Sequence, residues 1–378
     1  MHICFITNKY PNFVEPNGLV FLQQLVAAIA AKGHRCTVIC PEPPILNPRY
    51  LKLPKYTVDK YGDAEVEVYY PRYFGLGQRD YWKFNPAKLT TRHFSKALKR
   101  TIRKMKDMPD VFYAHFVTPA GIGAARMGRI FNRPVFMAFG EASQNTIRHF
   151  GFEAAKRELE TLAGVVAVST QNKDLIEPFV KAGITEVFPN AIDNDLFYPR
   201  DKAAARAKYG IGADEFVIAF VGSFDKRKGT DRISEAVARV NGDVRLMCAG
   251  KGSLLPYGER CTFKQPVLHA ELPEFLSAAD VFVLPTLNEG CCNAIIEAMA
   301  CGLPIVSANR SFNDDILDDT NSLRVDPTSV EEITAAIQKL YDDASLRASL
   351  AEGSLEMAKK LTLECRAENI IRFMEKKR

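Results

Sequence analysis

The stretch ADVFVLPTLNEGCCNAIIEAMACGLP, from Ala279 to Pro304, predicts a strand, a loop and a helix in immediate succession. Its apolar run Val281–Leu284 has the β-branched and aromatic composition of a strand that is covered on both faces. Pro285 ends that run, and the polar segment 286–290 leads into a helix of small apolar residues that stops at Gly302. A helix that follows a strand through such a loop begins at the carboxyl end of the strand, where its dipole favours a phosphate group.

Two glutamates accompany this helix. Glu289 stands before its first turn, and Glu297 lies about two turns inside it. Glutamate is a good helix former that is usually exposed, so each could be an ordinary solvated charge. The N–H groups expected to face outward belong to the first helical turn, near Cys291 to Ala294. The stretch therefore predicts an anion site with a carboxylate at its mouth.

The spacing Glu289-x7-Glu297 within NEGCCNAIIEAMACGLPIV resembles the E-x7-E signature of retaining glycosyltransferases of family 4, the glycogen-synthase-like and capsular polysaccharide type with the GT-B fold. The resemblance implies that Glu289 holds hydroxyl groups of the donor sugar and that Glu297 holds the ribose. It also implies a front-face displacement, without the covalent glutamate intermediate of retaining glycosidases. The donor-binding set would then also include Gly290, Cys291, Cys292 and Asn293.

Length and composition agree with a two-domain globular protein. A chain of 378 residues is too long for one ordinary hydrophobic core. Its 47% hydrophobic and 25% charged residues are typical of globular proteins, and no run of 18 apolar residues or signal-peptide core is found. The nine cysteines lie mostly in apolar segments, which favours reduced thiols in a cytosolic protein.

The first half of the chain opens with a predicted strand–helix–strand unit over residues 2–40. Its first loop, NKYPNFVEPNG, contains no G-x-G-x-x-G, which counts against a dinucleotide-binding dehydrogenase. Family 4 enzymes usually have a glycine-rich loop at this place. The resemblance therefore assigns donor contact to the one glycine of the loop, Gly18.

The strand end at residues 113–116 and the loop at residues 138–141 could contact a substrate. In the family, the loop that corresponds to residues 138–141 commonly contains His-Gly, with the histidine near the reacting sugar. Phe139 occupies that position here, so the resemblance supplies no catalytic histidine. His115, which ends the strand predicted from Asp110, is the candidate substitute, and Glu141 is a second candidate. The alternative for His115 is a buried histidine hydrogen-bonded to backbone.

A second strand–helix series is predicted to begin at Phe216. Its first strand ends in GSFDKRKGTDRI, and the resemblance assigns Arg227 and Lys228 to the donor diphosphate and includes Gly222 in the donor-binding set. Cations at the carboxyl end of this strand would face the same site as Glu289. The alternative is a solvated turn, and in both cases we expect Lys228 on a loop outside the core. No role is assigned to residues 254–276.

These patterns predict an α/β protein of the GT-B type, with two Rossmann-like domains that face each other across a cleft. We place the acceptor-side domain at residues 1–195, the donor-binding domain at 196–360, and a C-terminal helix returning to the first domain at 361–378. The triplet Asp193-Asn194-Asp195 resembles a metal-binding D-x-D. Its setting beside Pro189 and Asn190 favours turn and cap chemistry instead.

The expected activity is transfer of a sugar, with retention of configuration, from a nucleotide-diphosphate sugar to a glycan or lipid-linked glycan in polysaccharide biosynthesis. The nucleotide sugar is a co-substrate, and we expect no cofactor, no metal and no nucleic-acid partner. Two other classes stay open: a GT-B-fold nucleotide-sugar epimerase or phosphorylase, and a non-catalytic nucleotide-sugar-binding partner. The candidate catalytic residues are Glu289, Lys228, Arg227 and His115.

Charge is unevenly distributed along the chain. Residues 1–198 contain 26 Lys and Arg against 18 Asp and Glu, whereas residues 199–378 contain 24 against 27. Many of the cations lie on an amphipathic helix predicted near residues 86–105. A lipid-linked acceptor at an anionic membrane would explain a basic acceptor half, and a packed helix with a solvated basic face is the alternative. The sequence thus predicts a cytoplasmic protein with possible peripheral association at the inner face of the plasma membrane.

Overall fold

The computed structural model describes residues 1–16, 18–77 and 85–378. The chain forms two compact units. The first contains Met1–Phe188 together with Glu364–Arg378, and the second contains Pro189–Leu363. Each unit is an α/β domain built around its own mainly parallel sheet.

Within the described residues, the sheet of the first unit has eight strands: β1, His2–Ile6; β2, Arg35–Ile39; β3, Tyr56–Tyr61; β4, Ala64–Tyr69; β5, Val111–His115; β6, Val135–Phe139; β7, Gly164–Ala167; and β8, Thr185–Val187. Their spatial order is β3-β4-β2-β1-β5-β6-β7-β8. All neighbours are parallel except β3 and β4, which form an antiparallel hairpin at the edge. The central strands β1, β5 and β6 are buried along their whole length, as continuous apolar strands covered on both faces should be.

The helices of the first half of the chain are α1, Val20–Ala31; α2, Ala87–Ile102; α3, Ile122–Phe131; α4, Asn145–Phe150; α5, Phe152–Leu159; and α6, Thr170–Ile176. α2 is amphipathic, as expected: Phe94, Leu98 and Ile102 are buried at helical spacing, while most of its Lys and Arg side chains are exposed.

The sheet of the second unit has, in the described chain, six parallel strands: β9, Phe216–Val221; β10, Val244–Ala249; β11, Cys261–Gln265; β12, Val281–Leu284; β13, Ile305–Ala308; and β14, Ser322–Val325. Their order is β11-β10-β9-β12-β13-β14. The helices are α7, Lys202–Lys208; α8, Thr230–Arg239; α9, Leu272–Ser277; α10, Asn293–Ala300; α11, Val330–Asp342; and α12, Ala344–Lys360.

The C-terminal helix, α13 (Leu363–Lys377), packs in the first unit apart from its first residue. Ala367, Ile370 and Met374 join the core beneath the sheet, and the Phe373 ring lies 5.7 Å from the ring of Phe136. A Cβ on Gly164 would approach the Phe373 ring to 2.7 Å, so the glycine in β7 makes room for this helix. The expected return of the C-terminal helix is therefore observed.

The strands predicted in residues 2–40, from Asp110 to His115, from Phe216 and at Val281–Leu284 match the structure closely, whereas β3, β8, β11 and β14 were not predicted. All four are edge strands, and their residues are largely exposed or half-buried. Such strands lack the continuous apolar run that marks a central strand.

Asp193 accepts hydrogen bonds from the backbone N–H groups of Asp195 and Leu196 at 3.1 and 3.3 Å, which confirms its role in a turn. None of the helices in the described ranges is both long and apolar enough to cross a membrane.

Candidate functional site

The loops after β9 and β12 bring two cations to one carboxylate. Lys228 Nζ and Arg227 Nη1 lie 2.7 and 2.6 Å from the same oxygen, Oε1 of Glu289. Thr286 donates its hydroxyl to that oxygen at 2.8 Å, and Arg227 also donates to the carbonyl of Asn288 at 2.9 Å. Because β9 and β12 are parallel neighbours, their loops leave the sheet at the same edge. The structure thus brings Arg227, Lys228 and Glu289 together, as the motifs suggested.

The turn after β9 directs Lys228 toward this carboxylate. Asp225 Oδ1 accepts a hydrogen bond from the Lys228 N–H at 2.8 Å. Gly229 has a φ of 83° just before α8, a conformation that other residues rarely adopt. A Cβ on Gly229 would also lie 2.9 Å from the carbonyl oxygen of Pro285, so a larger residue would separate the two loops. Gly222 flanks the Lys228 stem, which a Cβ there would contact at 3.4 Å.

Lys228 lies on the loop after β9, as expected, but it is only 9% exposed and so is not the solvated turn residue of the alternative interpretation. Burial acts to lower the pKa of its ammonium group, but the Cys292 sulfur at 3.7 Å and the Glu289 carboxylate outweigh burial and raise the pKa overall. Lys228 therefore remains a cation at neutral pH. The Arg227 side chain is 44% exposed and matches the solvated turn that was the alternative for this loop.

The N-terminus of α10 adjoins this cluster. Gly290 and Cys292 are buried, and Cys292, at the N-cap position, makes no side-chain capping hydrogen bond. Burial raises the pKa of the Cys292 thiol, although Lys228 opposes this. Asn190 donates to the Cys291 carbonyl at 3.1 Å and to Asn293 Oδ1 at 2.8 Å, which fixes the chain where it enters the helix. The positive end of the helix dipole is thus held beside the two cations.

The second glutamate of the pair has a partner that the sequence did not reveal. Glu297 is 9% exposed on α10, and its Oε1 lies 3.2 Å from Nε2 of His269. The imidazole also packs edge-on against Phe197, with 5.1 Å between the ring centroids. The hydrogen bond to Glu297 raises the pKa of His269; burial opposes it, and the charge of Asp193 adds to it. His269 lies within residues 254–276, for which the sequence indicated no role. No spacing pattern in the sequence predicted a contact between this histidine and α10.

Two glycines after β10 let the neighbouring backbones touch. A Cβ on Gly250 would lie 1.9 Å from the carbonyl oxygen of Gly222, and a Cβ on Gly252 would lie 2.2 Å from that of Phe224. The N–H of Gly222 donates to the Ala249 carbonyl at 3.0 Å. The loop after β10 therefore supports the loop that carries Arg227 and Lys228.

In the first unit, His115 ends β5 and is 5% exposed. Its ring lies 5.2 Å from the Phe21 ring and 4.4 Å from the Phe116 ring. Burial, together with the charge of Arg366, lowers the pKa of His115 to about 3, so the imidazole is neutral at physiological pH. Its Nδ1 is buried without a hydrogen-bond partner among the described residues. Phe116 has a φ of 69°, which places backbone strain at this strand end.

Glu141 connects the loops that follow β5 and β6. Its Oε1 accepts a hydrogen bond from the Val117 N–H at 2.9 Å, and its carbonyl accepts one from Asn172 Nδ2 at 2.7 Å. Burial raises the pKa of Glu141 to about 7, so its carboxyl group exchanges a proton near neutral pH. Phe139, at the usual histidine position, is fully buried in the core.

Gly18 precedes α1 in a tight turn, where its N–H donates to the Glu15 carbonyl at 3.1 Å. A Cβ on Gly18 would approach that carbonyl oxygen to 3.2 Å, so the tight turn by itself accounts for a glycine at this position.

The described part of the chain contains no group of three or more His, Cys, Asp or Glu side chains placed to hold a metal ion.

Two family models match the chain. Residues 20–196 match Glycosyltransferase Family 4, and residues 201–357 match Glycosyl transferases group 1. TuaC of Bacillus subtilis, whose assignment as a teichuronic acid biosynthesis glycosyltransferase is provisional, is 26% identical over 372 residues. The match covers 94% of this chain and 93% of TuaC.

Two solved structures have the same fold. Sucrose-phosphate synthase from Thermosynechococcus elongatus superimposes with a TM-score of 0.77 and 21% identity, over 100% of this chain and 98% of that one. Alr3699/HepE from Anabaena, in complex with UDP-glucose, superimposes with a TM-score of 0.73 and 17% identity over 100% of both chains. The expected GT-B fold is thereby confirmed.

Proposed function

The chain belongs to the family 4 glycosyltransferases, and we propose that it is a retaining enzyme of polysaccharide biosynthesis. It moves a sugar from a nucleotide-diphosphate sugar to a hydroxyl group of a growing glycan or lipid-linked glycan. The observation that carries the proposal is the buried cation Lys228, which shares Oε1 of Glu289 with Arg227 beside the N-terminus of α10.

This cluster has the chemistry that a diphosphate requires. Lys228 supplies a fixed, partly desolvated charge, Arg227 supplies a planar donor that can bind two phosphate oxygens, and the first turn of α10 supplies the helix dipole. The UDP-glucose bound to Alr3699/HepE makes a UDP-sugar the first donor to test. We propose that Gly222, Gly290, Cys291, Cys292 and Asn293 line the donor site, and that Gly18 contacts the donor as well.

Glu289 changes partner when the donor binds. In the structure both cations contact the same carboxylate oxygen, which balances one of their two charges. A diphosphate carries more negative charge and takes over the cations, and Glu289 then accepts hydrogen bonds from hydroxyl groups of the sugar. Glu297, oriented by His269, holds the ribose hydroxyls.

Catalysis rests on the leaving group. When the glycosidic bond breaks, negative charge grows on the departing diphosphate, and Lys228 and Arg227 stabilise that charge without reorganisation. Attack of the acceptor from the same face as the departing group gives retention. In the first unit, the neutral His115 is the candidate for positioning the acceptor, and Glu141, whose pKa is about 7, is the candidate for accepting its proton.

We propose that the acceptor is presented at an anionic membrane surface on the cytoplasmic side, with the nucleotide sugar as co-substrate and no additional cofactor. The support is the excess of Lys and Arg in residues 1–198, much of it on the exposed face of α2. Flotation with anionic liposomes at low and high salt tests this part. Absence of binding, or binding that salt leaves unchanged, contradicts it.

Donor screening and a transfer assay test the enzymatic proposal. UDP-, GDP- and ADP-sugars are compared by thermal shift, because a ligand at 100 times its Kd adds about 2.7 kcal/mol of stability. The stabilising donor is then incubated with lipid-linked glycans, and NMR determines the anomeric configuration of the product. Turnover that requires an acceptor and retains configuration supports the proposal. An epimerase consumes the donor without an acceptor, a phosphorylase requires inorganic phosphate, and a non-catalytic protein binds without turnover.

A further inference from the structure

A second cationic site lies in the first unit, between the end of β4 and the C-terminal half of α2. A cavity of about 360 Å³ is present there, and no Asp or Glu lines it among the described residues. Its apolar and hydroxyl-bearing walls come from Tyr69, Pro71, Ala97 and Thr101. Its cations are Lys55, Arg72, Arg100 and Lys104.

The helix side of the cavity follows from the spacing on α2 and just beyond it. Arg100 and Thr101 lie three and four positions after Ala97, and Lys104 lies three positions after Thr101 and four after Arg100, so the four side chains leave the same side of the chain. Ala97 is buried and small, which leaves space below the two cations. Thr101 donates its hydroxyl to the Ala97 carbonyl at 3.0 Å, so this side chain is turned against its own helix.

The sheet side places two more cations opposite. The N–H of Tyr70 donates to the Lys55 carbonyl at 2.9 Å, which keeps Lys55 beside the end of β4. The Arg72 guanidinium donates to the Tyr70 carbonyl at 2.5 Å and to the Leu53 carbonyl. Arg72 is therefore held in one orientation before any ligand arrives.

Among the described residues, no ion pair compensates the charge of these four groups. None of them has a carboxylate oxygen of a described residue within 4.0 Å of its nitrogen atoms. Burial lowers the pKa of Arg72, and the charge of Glu42 opposes this effect; Glu42 is 2% exposed and accepts a hydrogen bond from the Cys40 thiol. Burial raises the pKa of Glu42 to about 8, so this carboxyl group is mainly neutral at physiological pH.

We propose that this cavity binds a phosphoryl group carried by an organic molecule, either a phospholipid headgroup or a soluble phosphate ester. Four like charges around one cavity repel one another, and an anion that bridges them removes that repulsion. Arginine and lysine bind phosphate through charge-assisted hydrogen bonds, while the Tyr69 and Ala97 walls pack against the glycerol or sugar carbons. The site belongs to the first unit, whereas the proposed donor cations belong to the second.

The test compares two double variants of the full chain that remove the same charge from the α2 region. Arg100→Ala with Lys104→Ala takes two cations from the cavity, and Arg92→Ala with Lys96→Ala takes two exposed cations from elsewhere on α2. The soluble probes are glycerol 3-phosphate and inorganic phosphate, measured by calorimetry. The membrane probes are phosphatidylcholine vesicles with and without phosphatidylglycerol. All four positions are exposed, and melting curves verify that both variants fold.

We expect saturable binding of the phosphate ester or of the anionic vesicles, and the probe that binds identifies the source of the phosphoryl group. The cavity variant should bind glycerol 3-phosphate about tenfold more weakly or worse, since two charge-assisted contacts are lost, while the control variant stays within about twofold of wild type. With the anionic vesicles the control variant also weakens, because Arg92 and Lys96 lie on the exposed face of α2, and the cavity variant weakens further. Because both variants keep the donor site, phosphate binding there cancels in the comparison. Equal weakening in both variants, an unchanged cavity variant, or no binding to the wild type overturns the proposal.

Discussion

His269 Nε2 lies 3.2 Å from Oε1 of Glu297, so a residue 28 positions earlier in the chain orients the second glutamate of the E-x7-E pair. The contact joins the loop before α9 to α10, which are neighbouring elements of the second unit. In its proposed role at the ribose, a carboxylate held in this way is already oriented, so less side-chain entropy is lost when the donor binds.

Glu297→Ala should weaken donor binding by about 10- to 100-fold, because a buried carboxylate forms charged hydrogen bonds that alanine cannot replace. Calorimetry with the donor identified by thermal shift measures the change. Glu356→Ala on α12, which removes an exposed carboxylate from the same unit, is the matched control and should bind normally. Unchanged affinity in Glu297→Ala would show that this glutamate does not hold the ribose.

The contribution of His269 to stability should depend on pH. Its pKa in the folded state is raised above the ordinary value of 6.5 by the hydrogen bond to Glu297. The extra stability is therefore complete below about pH 6.5 and is lost as the pH rises through the higher pKa of the folded protein. The difference in Tm between wild type and His269→Gln, measured from pH 5 to 9, should shrink across that window. In a Glu297→Gln background the same substitution should show little pH dependence, and an undiminished effect there would point to another partner.

Lys228→Met should reduce kcat by about 100- to 1,000-fold and change donor affinity less, because the cation stabilises charge that develops in the transition state. Since Lys228 is buried rather than exposed, we also expect a loss of stability of about 0.5–3 kcal/mol, with Glu289 still paired to Arg227. Lys226→Met, in the same loop but exposed, is the control and should be near wild type in both measurements. Normal turnover in a folded Lys228→Met protein would remove this lysine from the mechanism.

Glu289→Gln should bind free nucleoside diphosphate more tightly while transferring sugar more slowly. The substitution removes the negative charge that contacts Lys228 and Arg227 and that competes with a diphosphate for them, a competition worth about 1 kcal/mol or about fivefold in affinity. Steady-state kinetics and calorimetry with UDP, GDP and ADP measure both effects. The gain in affinity should vanish when Lys228→Met is added. Weaker diphosphate binding in Glu289→Gln alone would contradict the exchange of partners.

Much of the second unit could be predicted from its sequence. The runs at β9, β10, β12 and β13 are short, apolar and bounded by glycine or proline, so their local pattern has one reasonable interpretation. The E-x7-E spacing and its flanking residues indicated the family, and the strand-end position of Arg227 and Lys228 indicated that they would meet Glu289. The edge strands could not be predicted in this way, because their half-exposed residues carry no distinct period.

The sequence by itself determined the two-domain α/β class, the family and the central strands, because these depend on hydrophobic patterns and spacings within one segment. Only the tertiary structure decided that Lys228 is buried on Glu289, that His269 holds Glu297, and that four cations surround the cavity beside α2. Those relationships join residues far apart in the chain. They follow from the order of the strands in each sheet, which determines which loops and helices become neighbours. The burial and charge of one side chain depend on these neighbours, and no local sequence pattern specifies them.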